Sequence, residues 1–248
     1  MNFLHFNTFG RTAVRGNWHI TRSSAVNRLY FPHSEGAYFV VGGKKTPIVP
    51  GNLYILPAAL GYRLEKDENS VFDHTFFDFE IIPPLSADAF TVLPLEKYPL
   101  LEHFCRYFDA LFTFFPCRSA EFLPLISSEF ENLLFIIEKI TPLPRISDER
   151  VREALEFIHE NYSSHITDKD ISQKVCLEKS YFIKLFSRVM KQTPYHYLKC
   201  YRLEKALALL RSGASVKETA LACGFESTSA FSHCMKKSLG FPPSDKKA

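Results

Sequence analysis

The apolar positions change their period twice along this chain. Up to about residue 82 they come in short aromatic or β-branched runs: LYFPHS (29–34), AYFVV (37–41), NLYILPA (52–58) and HTFFDFEII (74–82). Gly42-Gly43, Pro47, Pro50-Gly51 and Pro57 punctuate them. Short runs closed by turn formers predict strands, and many such strands predict a barrel or jelly roll. From 99 to 140 the spacing becomes three and four. HFCRYFDALFTFF (103–115) and EFLPLISSEFENLLFIIEKI (121–140) predict two helices, with Pro124 in the first turn of the second. Their apolar content exceeds one stripe on a barrel, and the surplus is expected to pack against a second subunit; the alternative is that both helices cover the barrel's open end. Two prolines in TPLPRIS (141–147) break the helical pattern and predict a linker.

Everything after 147 reads as helix. Ser147 is expected to cap a helix over 148–161, with Asp148 and Glu149 at its positive end. Pro194 opens and Gly213 closes a long helix. Ser215 and Glu218 form a capping box. Flanking the long helix, 168–190 and 216–239 are two copies of one pattern, a short helix, a tight turn and a longer helix. The longer helices carry matched apolar stripes: Phe182, Leu185, Phe186, Val189 and Phe231, Cys234, Met235, Leu239. Their opposite faces also match. Ser180, Ile183, Lys184, Ser187 and Arg188 correspond to Ser229, Ser232, His233, Lys236 and Lys237, 49 positions on. That face is small, polar and basic, as a helix lying in a DNA groove requires.

Charge sharpens this reading. Residues 1–143 hold 12 basic and 15 acidic side chains, and residues 144–248 hold 18 and 12. Only the C-terminal part therefore suits a polyanion. Six cysteines (Cys105, Cys117, Cys176, Cys200, Cys223, Cys234) form no Cys-x-x-Cys pair and read as small hydrophobes. A start of Met1-Asn2-Phe3-Leu4-His5 lacks a signal-peptide pattern, and no apolar run is long enough to span a bilayer. The expected location is the cytoplasm.

Ala220, Gly224-Phe225, Ser227, Ser229, Phe231, Ser232, Lys236-Lys237, Gly240 and Pro243 together resemble the signature of the AraC/XylS family of bacterial transcription regulators. The long helix matches through Tyr197-Leu198, Arg202, Ala206 and Leu209-Leu210, and PGNLYILP (50–57) resembles the family's cupin-like sensor barrel. Departures include Met235 for Phe, His233 for Arg, Lys191 and Cys176 for Gly, Glu178 for a capping hydroxyl, and an ending that lacks Tyr-Arg after Pro243. The resemblance implies an α+β chain of two domains. Residues 1–140 would be a cupin-like sensing and dimerisation domain, 141–147 the linker, and 148–248 a DNA-binding domain with two helix-turn-helix units. Implied partners are double-stranded DNA, a small-molecule effector, a second copy of the chain and RNA polymerase, with no cofactor and no membrane.

Bases are then expected to meet Lys179, Ser180, Ile183 and Lys184 in one groove segment and Thr228, Ser229, Ser232 and His233 in the next. Arg188, Lys236 and Lys237, a turn further along, suit phosphates. For the effector, Trp18, Tyr30, Tyr38 and Tyr62 are candidate aromatics and Arg11 and His19 candidate polar contacts, a set that suits a sugar and an aromatic metabolite equally. The rival reading is a metal-dependent cupin enzyme fused to a helical interaction module. Against it, the barrel region has no His-x-His, His19, His33 and His74 stand alone, and Tyr62 sits where a ligand histidine is expected. No Gly-x-Ser-x-Gly or phosphate-binding loop occurs, so the chain is read as a non-enzyme.

Overall fold

The computed structural model describes residues 4–15, 20–22, 25–58, 60–81, 85–86, 90–115, 122–239 and 242–243. Among the described residues, nine strands open the chain. β1 (Leu4–Val14), β8 (Phe72–Ile81), β3 (Asn27–Pro32), β6 (Asn52–Leu56) and β9 (Thr91–Pro94) lie side by side in one antiparallel sheet. β2 (Ile20–Arg22), β7 (Tyr62–Lys66), β4 (Ala37–Val41) and β5 (Lys44–Ile48) form a second. The expected barrel is thus two stacked sheets. Among the described residues no strand pairing closes them into one, so β1, β9, β2 and β5 remain edges. Closure is a long-range property, and local alternation does not carry it.

Alternation along β8 explains the layers. Its odd-numbered side chains Phe77, Phe79 and Ile81 join Phe9, Leu29 and Phe31 beneath α1 (Pro99–Phe114) and α2 (Leu123–Ile140). Phe77 meets Phe108 edge-on at 4.7 Å and Phe130 at 4.5 Å. Burying each such ring contributes roughly 1.5–3 kcal/mol. The even-numbered Phe72 and Phe76 face the other way, with Tyr30, Phe39, Tyr54, Leu56 and Tyr62 between the sheets. β3 and β8 are covered on both faces, which is why they read as nearly continuous apolar runs.

His74 belongs to the inter-sheet layer. It is 3% exposed and stacks on Phe72 at 4.5 Å. Burial lowers its pKa from the usual value to about 4. The unfolded chain therefore binds a proton that the folded chain refuses, and stability falls as pH drops from about 6.5 to about 4. Between pH 7.5 and pH 5 this group should remove about 2 kcal/mol. His74→Phe keeps the ring and loses the titration. Urea denaturation at the two pH values should show a smaller difference for the variant; equal differences would refute the assignment.

The segment 141–147 is tied down rather than slack. Leu143 and Ile146 are buried, Arg145 forms a β-bridge with Leu85, and its guanidinium pairs with Glu138. The C-terminal helices follow: α3 (Glu149–Asn161), α4 (Asp168–Lys174), α5 (Lys179–Met190), α6 (Pro194–Arg211), α7 (Val216–Ala222) and α8 (Thr228–Leu239). Asp148, not Ser147, caps α3, its carboxylate accepting from the Arg150 amide. Among the described residues no helix is long and apolar enough to cross a membrane.

Candidate nucleic-acid interface

Each helix-turn-helix unit is framed by its caps. Ser215 and Glu218 form the expected capping box on α7, and Thr167 with Asp170 forms its counterpart on α4. The Ser227 hydroxyl accepts from the Ala230 amide at the start of α8. In the first unit Glu178 takes that role, accepting from the Tyr181 amide at 2.9 Å. The amides of Ser180 and Tyr181, aided by nearby Lys184, hold this carboxyl below the usual carboxylate range. The turn glycine of the second unit has φ +72°, and Cys176 adopts φ +54° at the matching corner of the first. A side-chain-bearing residue there costs about 1–2 kcal/mol of backbone strain.

Burial separates the two faces of α5 and α8 as the stripes require. Phe182, Leu185 and Phe186 are buried in the first unit, and Phe231, Cys234 and Met235 in the second, while Val189 and Leu239 are only partly covered. Lys179, Ser180, Lys184 and Arg188 are exposed on α5, and Thr228, Ser229, His233, Lys236 and Lys237 on α8. Ile183 and Ser232 are half-buried, Ile183 packing partly on the first unit's core. Lys179 and His233 line one groove between the units.

α6 joins everything. Its 18 residues bury side chains on several sides. Tyr197, Leu198, Cys200 and Tyr201 enter the first unit's core, and Leu203, Ala206 and Leu207 the second's. A third face meets the sandwich through charge. Arg28, 1% exposed, projects from β3 and pairs with Asp78 at 2.7 Å and with Glu204 of α6 at 2.9 Å. It also donates to the Tyr62 hydroxyl at 3.0 Å. Beside this, Glu80 accepts from the Tyr201 hydroxyl at 2.8 Å and the Lys205 ammonium at 2.7 Å. Burial pushes the Glu80 carboxyl up, but Lys205, His159 and Tyr201 outweigh it and hold it below its ordinary value. The Tyr197 hydroxyl donates to the Ala25 carbonyl, and Ala25 itself lies in the first unit's core.

These interdomain residues escape sequence reading. One signal exists: in FDHTFFDFEII (72–82), Asp78 and Glu80 occupy the same alternate positions as Phe72 and Phe76, so charge is placed on a face that should be core. The effector candidates scatter. Tyr30 and Tyr62 lie between the sheets. Arg11 is on the helix side of β1, paired with Asp73 and Asp109. The Tyr38 hydroxyl donates to Asp67, with the Lys45 ammonium 3.9 Å over its ring. Trp18 and His19 lie outside the described residues. Among the described residues no cluster of three or more His, Cys, Asp or Glu side chains is placed to hold a metal.

Comparison with known proteins agrees with this geometry. A family described as "Helix-turn-helix domain" matches residues 171–248. The C-terminal part is an AraC-type helix-turn-helix domain. Over 94 residues the chain is 35% identical to the melibiose operon regulatory protein of Escherichia coli strain K12, covering 38% of this chain and 31% of that one. Over 99 residues it is 33% identical to the HTH-type transcriptional regulator YdeC of Bacillus subtilis strain 168, covering 40% and 34%. The chain thus spans about a third of the length of the curated relatives it matches. The likeness extends beyond the AraC-type domain in three dimensions. The crystal structure of ToxT from Vibrio cholerae O395 superposes with a TM-score of 0.69 at 13% identity, covering 96% of this chain and 95% of that one. The fold is therefore shared across both domains.

Proposed function

We propose that this chain is a DNA-binding transcription regulator in which an N-terminal sandwich senses a small molecule and α5 and α8 enter adjacent major-groove segments of one duplex. The carrying observation is the pair of exposed, polar and basic helix faces on an AraC-type domain, held in fixed relation by α6. Lys179, Ser180, Ile183 and Lys184 read the first segment, Thr228, Ser229, Ser232 and His233 the second. Arg188, Lys236 and Lys237 hold phosphates. The regulatory names of the matched relatives support this reading. Sensing is supported by the shared fold, since ToxT has been solved with an unsaturated fatty acid bound. Tyr62 touches the inter-sheet core and also bonds Arg28, which bonds Glu204 on α6. A ligand between the sheets thus has a direct chain of contacts to the reader frame. Exposed Leu100, Leu123, Leu125 and Phe135 on α1 and α2 suit a second copy.

The test uses a duplex selected by the chain from a random-sequence pool. Ser229→Ala with His233→Ala should relax base preference by roughly 1–3 kcal/mol per lost contact. Lys236→Ala with Lys237→Ala should weaken binding to every sequence and reduce the log–log salt slope by about one per contact. An unchanged preference ratio in the first pair and an unchanged slope in the second would remove α8 from the interface.

A further inference from the structure

The groove between the two helix-turn-helix units has a volume of about 480 Å³ and is open to solvent. Lys179, at the start of α5, and His233, on α8, both line it, so both readers border one concavity. Its remaining wall comes from α6, including Tyr195, Lys199 and Arg202. Tyr195 and Lys199 are four residues apart and share one helical face. Tyr195 is 62% exposed, and Lys199 is half-buried beside the Cys234 thiol.

B-DNA dictates what must face this concavity if α5 and α8 occupy successive major-groove segments. Between two such segments on one face of the duplex lies the minor groove with its two flanking phosphodiester strands. That is a convex, anionic ridge, and the protein surface opposite it is concave. Not every cation in the groove can serve the ridge. The Arg202 guanidinium is spent on the Tyr162 and Ser164 carbonyls, each at 2.7 Å. Lys179 also lines the groove and is already assigned to bases in the function proposed above. Glu226 also lines the groove and opposes any anion. Lys199, whose neighbour in the groove is the neutral Cys234 thiol, is the lysine of this wall open to a phosphate, with the Tyr195 hydroxyl a turn away as a second donor.

We propose that this groove seats the phosphodiester ridge between the two reading sites, with Lys199 as its phosphate ligand and Tyr195 beside it. The inference rests on the two-reader function proposed above and adds a third contact zone, on the helix that joins the readers. Such a contact carries no base information, but it fixes the register of both readers at once.

The probe is again a duplex that the full wild-type chain selects from a random pool, examined by phosphate ethylation interference and by salt-dependent binding. Ethylating the phosphates between the two protected major-groove segments should weaken wild-type binding. In Lys199→Gln that interference should disappear, the salt slope should fall by about one, and affinity at ~0.1 M salt should drop roughly ten-fold for selected and scrambled duplexes alike. Lys199→Arg should restore all three, which separates a phosphate contact from a folding defect. Wild-type binding indifferent to ethylation between the segments would overturn the proposal, even with the substitutions on α8 behaving as expected. So would a folded Lys199→Gln chain with an unchanged slope. A wild-type chain that selects no duplex would overturn the DNA-binding reading, and this proposal with it.

Discussion

Arg28→Met should cost this protein about 3–5 kcal/mol of stability. Methionine fills much of the volume but removes the Arg28 charge from Asp78 and Glu204, both nearly fully buried. The Tyr62 hydroxyl and Asp78 also lose a donor. The size of the loss comes from buried carboxylates that lose a counter-charge, not from any large net benefit of the ion pairs. Removing the charges together should therefore be far milder: Arg28→Met with Asp78→Leu and Glu204→Leu should recover most of the loss. Chemical denaturation of the single and triple variants measures this directly. A loss under about 1 kcal/mol for Arg28→Met would mean that the network is solvated and does not bind the sandwich to α6.

Gly224→Ala is the second large effect. The glycine adopts φ +72°, and a Cβ there would sit 2.7 Å from the Ser163 carbonyl oxygen and 2.8 Å from that of Tyr162. These are backbone atoms, and the neighbouring Ser164 carbonyl together with that of Tyr162 is already gripped by Arg202, so the loop has little room to yield. Left-handed strain of about 1–2 kcal/mol adds to an overpacking cost of about 1–3 kcal/mol. The damage should be local to the second unit. Footprints should lose the segment read by α8 before the segment read by α5, whereas equal loss of both would show that the two units unfold as one.

The helical third was legible because its instructions are local. Capping hydroxyls, a starting proline, a stopping glycine and stripes of period 3.6 lie within a few residues of what they determine. Even there, Asp148 displaced Ser147 as the cap of α3, since either side chain satisfies the first amides and only geometry chooses. The sandwich was legible in part. β3, β4, β6 and β8 stood out as apolar runs, but β5 (KKTPI) is an edge strand with one buried side chain, and β1 mixes polar and apolar residues along its pairing with β8. The division into two sheets depends on which strands pair, and so does the domain interface. Arg28 and Glu204 are 176 residues apart, and Glu80 and Tyr201 are 121 apart. No local pattern announces such partners. The residues proposed to face DNA are picked out for the opposite reason: their shared feature is failing to join a stripe.

The burial of α6 on several faces sets a limit on how this chain can change its length. One residue inserted into a helix turns everything beyond it by about 100° and advances it 1.5 Å. Anywhere between Tyr201 and Leu207, that rotation would misalign α8 against α5. In the same step it would swing Leu207 out of the second unit or Glu204 away from Arg28. A surface loop absorbs an inserted residue as slack; here it becomes a phase error between α5 and α8. On the two-reader function proposed above, the distance between the reading sites is therefore quantised. On that proposal it is retuned by substitutions on α5 and α8 that choose different bases, but not by adding or removing residues between them.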